Sequence, residues 1–316
     1  MSEPRRIIAR APGKLNLALH VGDVDERGMH PLATVFQAIS MFEEVTATQA
    51  PYGSGITVSV SGRDVDLVPL DSSNLVHRAA QEVAFRSGVV GEGETPDVHL
   101  HIEKAIPVGG GMGGGSADAA AAITACHHLW ETTLSNQELD AIGADLGADV
   151  TFCLHGGTAM GTGYGEQLMP VLASGKYHWL FALSADPIST GEAYRTLDGL
   201  EREIAESPEV DRSLLAALRT GVADEVGAAL ANDFNVTAVD AQPHLENIME
   251  LAHDYGAAGS VICGSGPTVA ILVQSAQHAR DVKAAVEEQG LATEVLSAVG
   301  PVPGARVETS LDHHQE

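Results

Sequence analysis

Val98, Leu100 and Ile102 alternate with His99, His101 and Glu103, the period-two signature of a strand buried on one face. Arg6–Ala11 and Leu15–Val21 read as further strands, broken by Pro12-Gly13, and Thr34–Ser40 and Glu44–Thr48 continue the sheet. The period changes after Asp71-Ser-Ser-Asn, where Leu75, Val76, Ala79, Ala80 and Val83 recur at helical spacing. Ser135 and Glu138 have the spacing of a capping box and open a helix that ends at Leu146. A short apolar stretch, Val150–Leu154, reads as a strand, and a glycine-rich meander over residues 156–168 closes this half.

Near Ser174 the pattern changes. His178–Leu183 is an apolar strand, followed by helices near Gly191–Leu197, Arg212–Leu218 and Leu245–His253. Ser260–Cys263 and Thr268–Val273 flank the turn Gly264-Ser265-Gly266-Pro267, Ala276–Glu287 is a helix and Thr293–Ser297 a last strand. Strands grouped early, with helices between the later strands, predict an α+β protein of two lobes: residues 1–174 and 175–299. Residues 300–316 carry prolines and acids without an apolar period and are expected to form a flexible acidic tail.

The largest departure from these periods is Ile106–Ala122, IPVGGGMGGGSADAAAA. Gly109, Gly110, Gly111, Gly113, Gly114 and Gly115 are followed by Ser116 and a run of alanines, so a loop passes into a helix near Ser116. Unpaired N–H groups and the positive end of a helix dipole meet there, which suits a phosphate. It is not a P-loop, because Ser116 is followed by Ala117-Asp118 and no lysine precedes it. It is not a dinucleotide fingerprint either, because the helix leads to Ser135-Asn-Gln-Glu and a further helix rather than to a second strand. A bare turn needs one or two glycines, not six.

Composition narrows the partner. The 316 residues include 17 Lys+Arg against 43 Asp+Glu, a formal charge of −26, which disfavours nucleic acid and anionic membranes. In so acidic a chain a single lysine beside a phosphate site is informative. Cys126, Cys153 and Cys263 form no CxxC pair, so neither a zinc site nor a disulfide framework is indicated. With no long apolar stretch at the N-terminus, a cytoplasmic location and a monomer or homodimer are expected.

Three further places look chemical. Lys14 follows the Pro12-Gly13 break, Asp149 lies between a helix end and an apolar stretch, and Gly264-Ser265-Gly266 allows close approach of backbone to a ligand. Singly, these read as a surface lysine, a helix-terminal aspartate and a hairpin turn.

Together they resemble one family. APGKLNLAL, PVGGGMGGGSADAA and GSGPT match, in order and spacing, the three signature motifs of the GHMP small-molecule kinases. The segment from Gly28 to Ile39 and the stretch from Gly147 to Glu166 resemble the branch whose substrate is a cytidyl-diphosphate sugar alcohol. The resemblance implies a two-lobed α+β fold, with an N-terminal lobe like ribosomal protein S5 domain 2 and a ferredoxin-like C-terminal lobe. It implies ATP as phosphoryl donor, with Mg²⁺, and a small-molecule acceptor. Asp149 would be the base and Lys14 would bond Asp149 and the reacting oxygens. Ser116 would contact the metal and Asn74, also a helix N-cap, would lie on the adenine side. Asn16, Met29, His30 and Tyr194 would meet the acceptor, with Met29 where the family carries a tyrosine and Arg27 where it carries an aspartate. The competing readings are a homoserine- or mevalonate-type kinase and a non-catalytic nucleotide-binding relative; the latter should lack Lys14 or Asp149, and both are present.

Overall fold

The computed structural model describes residues 4–201 and 208–308, whose strands form two antiparallel-rich sheets. The first half supplies β1 (Arg6–Val21), β2 (Leu32–Gln49), β3 (Ile56–Gly62), α1 (Leu75–Arg86), β4 (Val98–Lys104), α2 (Gly114–Leu129), α3 (Asn136–Leu146), α4 (Ala148–His155), β5 (Thr158–Thr162) and β6 (Gln167–Pro170). The second half supplies β7 (Tyr177–Leu183), α5 (Thr190–Asp198), α6 (Arg212–Thr220), α7 (Ala223–Ala228), β8 (Ala231–Asn232), α8 (Phe234–Ala241) and α9 (His244–Asp254). It ends with β9 (Gly259–Ile262), β10 (Val269–Val273), α10 (Ala276–Glu288), β11 (Glu294–Gly300) and β12 (Arg306–Val307).

The first sheet runs β12-β1-β2-β4-β3, with β5 and β6 continuing from β2 and β8 lying parallel to β1. The second runs β11-β7-β10-β9, antiparallel throughout. Every residue of β10 is buried, as expected of an inner strand covered on both faces. Helix α2 is enclosed nearly all round, and Ala117, Ala119, Ala120, Ala121, Ala122 and Ala125 let it lie close to the sheet and to α1.

Several local expectations change. Pro12-Gly13 does not break a strand: β1 is continuous and absorbs the pair as a register shift against β2. Val150–Leu154 lies in helix α4, because Gly147 ends α3 and at once caps a new helix; a short buried apolar run does not reveal its period. Helix α2 begins at Gly114, two residues before Ser116, after Gly113 at φ +72°. Strand β3 has no counterpart in the sequence reading.

The expected tail is corrected over residues 300–308. Val302 N–H donates to the Ala38 carbonyl at 3.2 Å, Gly156 bridges Pro303, β12 pairs with β1, and Glu308 N–H donates to the Ile8 carbonyl at 2.9 Å. Backbone pairing, which needs no apolar period, holds this segment; residues 309–316 lie outside the described residues. The lobes also share a core, since Leu15, Leu17 and Ile39 cluster with Tyr177, Trp179 and Phe181. At their junction the Trp179 indole donates to Gln37 Oε1 at 3.0 Å, both groups being buried.

Candidate active site

The three glycine-containing motifs meet at one place. Lys14 N–H donates to the Met112 carbonyl at 2.9 Å, joining β1 to the glycine run. Gly111 has φ +75°, and a Cβ there would fall 2.0 Å from the Cys263 carbonyl oxygen, so only glycine lets this loop lie against the Gly264-Ser265-Gly266 turn. A Cβ on Gly113 would press on the Lys14 stem at 3.0 Å. The turn is fixed from β8: the Asn232 side-chain amide donates to the carbonyls of Ile262 and Gly264 at 2.8 and 2.7 Å. Burial pushes the Cys263 thiol up to about 12, so it is an inert packing group.

Two cavities open on either side of the glycine run. One, of about 250 Å³, is lined by Lys14, Asn16, Asp149, Tyr164, Tyr194 and Ser265 among others. The other, of about 220 Å³, is lined by Asn74, Leu75, Lys104, Pro107, Asp118 and the glycines from Gly109 to Gly115. Gly111 and Gly113 belong to both walls.

In the first cavity the Lys14 ammonium donates to Asn16 Oδ1 at 2.7 Å and lies 3.4 Å from Asp149 Oδ2. Asn16 in turn donates to Thr34 Oγ1 at 2.8 Å, and Thr34 donates to the Ala18 carbonyl at 2.7 Å. This chain of bonds holds the lysine in place from the strand beneath it. Asp149 stands in the first turn of α4, where the helix dipole favours a carboxylate. Ser265 Oγ lies 3.0 Å from Thr190 Oγ1, which links the third motif to the start of α5.

The residues expected on the acceptor side are only partly brought together. Tyr194 lines the cavity, packs edge-on against Phe234, and its face stacks on His30 with centroids 4.9 Å apart. His30 lies behind it: Nδ1 is 2.9 Å from the Gly22 carbonyl and Nε2 is 3.5 Å from Asp198 Oδ1, so both ring nitrogens face protein groups. Met29 is 48 % exposed, outside the cavity lining.

In the second cavity Asn74 is a helix cap that faces the glycine run: its side chain accepts from Val76 N–H at 2.9 Å and donates to the Pro69 carbonyl. Beneath the start of α2 lies a cluster that the sequence reading missed. The buried Lys104 ammonium donates to Glu43 Oε1 at 2.6 Å and to Asp118 Oδ2 at 2.8 Å. Glu43 also accepts from the N–H groups of Ala105 and Ile106, which lead into the glycine run. Asp118 Oδ1 is buried without a hydrogen-bond partner. Burial, and then the Glu43 charge, push Asp118 up to about 7, although Lys104 pulls it back. Ser116, in the first turn of α2, has no side-chain hydrogen bond among the described residues, so its hydroxyl would suit a cation that binds mainly through nucleotide phosphates and water. Among the described residues no group of three or more His, Cys, Asp or Glu side chains could hold a metal ion, and no helix is long and apolar enough to cross a membrane.

Comparison with known proteins identifies the family. The model of the GHMP kinases N terminal domain matches residues 74–157, and that of the GHMP kinases C terminal domain matches residues 214–292. A 4-diphosphocytidyl-2-C-methyl-D-erythritol kinase of Thermobifida fusca is 44 % identical over 97 % of this chain and 100 % of its own length. One of Streptomyces coelicolor is 42 % identical over 95 % of this chain and 99 % of its own. A crystal structure of 4-(cytidine 5'-diphospho)-2C-methyl-D-erythritol kinase superposes with a TM-score of 0.74 at 28 % identity, covering 93 % of this chain and 98 % of the other. Homoserine kinase from Cytophaga hutchinsonii also reaches 0.74, at 18 % identity over 98 % of this chain and 99 % of its own. Shape is therefore common to both kinds of kinase, and sequence separates them.

Proposed function

Because the chain belongs to the GHMP kinase family, on its 4-diphosphocytidyl-2-C-methyl-D-erythritol kinase branch, we propose that the two cavities are the nucleotide and acceptor halves of one phosphoryl-transfer site. The reaction is ATP-dependent phosphorylation of the 2-hydroxyl of 4-diphosphocytidyl-2-C-methyl-D-erythritol, releasing ADP, in isoprenoid precursor biosynthesis. The observation that carries the reading is the shared wall. Gly111 and Gly113 face Lys14 and Asp149 on one side and the cavity holding Asn74 on the other. A triphosphate cradled along Gly109–Gly115 would present its γ-phosphate at the edge that both cavities share, within direct reach of an acceptor oxygen beside Asp149.

The residues divide the work as follows. The backbone of the glycine run and the N-terminus of α2 receive the triphosphate, and Asn74 borders the adenine. Asp149 orients the acceptor hydroxyl and takes its proton late, as the bond to phosphorus forms. Lys14, held by Asn16, offsets the charge that spreads over the transferred oxygens. Ser116 would help to hold a Mg²⁺ carried in with ATP, which would supply further neutralisation of that charge. The Gly264-Ser265-Gly266 turn closes the site from the other lobe. Tyr194, backed by His30, offers the cytosine a ring face, with Met29 as a pliable apolar neighbour. With Nδ1 bonded to the Gly22 carbonyl, the His30 ring backs the stack, and Nε2, 3.5 Å from the exposed Asp198 carboxylate, is the nitrogen left for the pyrimidine edge.

An assay coupled to ADP release, run with the diphosphocytidyl substrate, homoserine and mevalonate, tests the assignment. Turnover of the first alone is expected. Turnover of homoserine or mevalonate without the cytidyl compound would remove it.

A further inference from the structure

Tyr164 lies in the turn between β5 and β6, a position to which the reaction outlined above gives no role, yet its ring lines the cavity that contains Lys14 and Asp149. Its hydroxyl donates to Asp25 Oδ2 at 2.5 Å. Asp25 belongs to the segment between β1 and β2 that carries Met29 and His30, and it organises that segment. Its Oδ1 accepts from the N–H groups of Arg27 and Met29 at 2.9 and 3.0 Å, and its own N–H donates to the Met29 carbonyl at 2.8 Å. One carboxylate thus closes the turn with one oxygen and ties it to Tyr164 with the other. The Tyr164 hydroxyl bond, followed by that of Met29, holds Asp25 below the usual carboxylate range, and the same bond raises the Tyr164 phenol. The donor and acceptor therefore keep their roles throughout the neutral range. The tyrosine itself is anchored: its N–H donates to Glu166 Oε2 at 2.7 Å, and Leu32 N–H donates to the adjoining Gly163 carbonyl at 2.7 Å.

We propose that Tyr164 is a positioning and specificity residue for the acceptor, clasping Asp25 so that the Met29–His30 turn stays fixed at the rim while its own ring walls the reacting end. This rests on the acceptor assignment given above. Met29 is exposed and its thioether is flexible, so without the clasp the Met29 end of the turn would be held only by the turn's own bonds. A long nucleoside-diphosphate-linked alcohol spans the distance from Asp149 to that rim, whereas a short free alcohol touches only the reacting end. The clasp therefore favours the long acceptor through binding.

Tyr164→Phe keeps the ring and removes the bond. The expected result is a rise of about fivefold in KM for the diphosphocytidyl substrate, with kcat and KM for ATP held within twofold. Limited trypsin digestion reads the clasp without substrate. Cleavage after the exposed Arg27 should be faster in Tyr164→Phe, while the thermal midpoint stays close to that of the parent. An unchanged KM for the acceptor, an equal rise in KM for ATP, or an unchanged cutting rate at Arg27 each overturns the proposal. If the parent enzyme does not turn over the cytidyl compound, the substrate assignment fails, and the digestion still decides whether the clasp exists.

Discussion

Lys14 and Lys104 stand on opposite sides of the glycine run, and they differ in how fully they are answered. Lys104 is matched by two carboxylates, Glu43 and Asp118, whose side chains are 0 and 6 % exposed. Lys14 has one bond to an uncharged amide and a looser 3.4 Å approach to Asp149, whose side chain is 32 % exposed. Both ammonium groups are nearly buried, so burial alone does not distinguish a structural lysine from a chemical one. What distinguishes them is spare capacity. The Lys104 cluster is consumed in holding β2, the entrance to the glycine run and α2 together. The Lys14 group keeps donors and a carboxylate face available for a substrate. Asp118, with one buried oxygen lacking a hydrogen-bond partner, shares its cavity with an ammonium that two carboxylates already answer.

The largest effect should come from the open group. Asp149→Asn is expected to lower kcat by roughly 10³-fold, and Lys14→Met by roughly 10²-fold, with ATP affinity retained in both. Steady-state assays with calorimetric nucleotide binding measure this; near-normal turnover in Asp149→Asn would break the contrast. The closed cluster should respond in stability instead. Lys104→Met strands two buried carboxylates and should cost about 3 kcal/mol, read by urea unfolding. A loss no larger than that of Lys14→Met would show that the two lysines are equivalent after all.

The smallest effect sharpens the comparison through pH. Asp118 in the folded protein titrates near 7, above its ordinary value of 3.8, so the folded state binds the extra proton between those limits. Its contribution to stability therefore falls as pH rises from about 4 to about 7 and is level above that. Asp118→Asn should remove this fall, leaving a flatter plot of unfolding free energy against pH between 5 and 8. A plot unchanged in slope would mean that Asp118 ionises normally.

Lys14 and Asp149 were singled out through the family motifs, since each alone reads as a surface lysine or a helix-terminal aspartate. Gly109–Gly115 stood out by itself because a glycine-to-alanine boundary is a local pattern. Asn74 was legible for the same reason, since a cap is an interaction over two residues. Val150–Leu154 was misread because a five-residue, mostly apolar run between two turns carries no period that separates strand from helix. The Glu43–Lys104–Asp118 cluster gave little signal: its members look like ordinary surface charges until β2, β4 and α2 are packed together.

By itself, then, the sequence determined the character of the chain: an α+β protein with a glycine run feeding a helix start, a lysine after Pro12-Gly13 in a chain of few cations, and a change of pattern near residue 175. Such features follow from interactions within a turn or from periods of two and 3.6 residues, which any short window contains. Tertiary structure alone decided what joins across the chain. Gln37 meets Trp179 over a separation of 142 residues, and Asp25 meets Tyr164 over 139. It also decided that residues 300–308 return to the first sheet, and that Gly111 and Gly113 separate two cavities rather than lining one. Contacts of that kind depend on loop closure and on the shape of both partners, so no local window holds them.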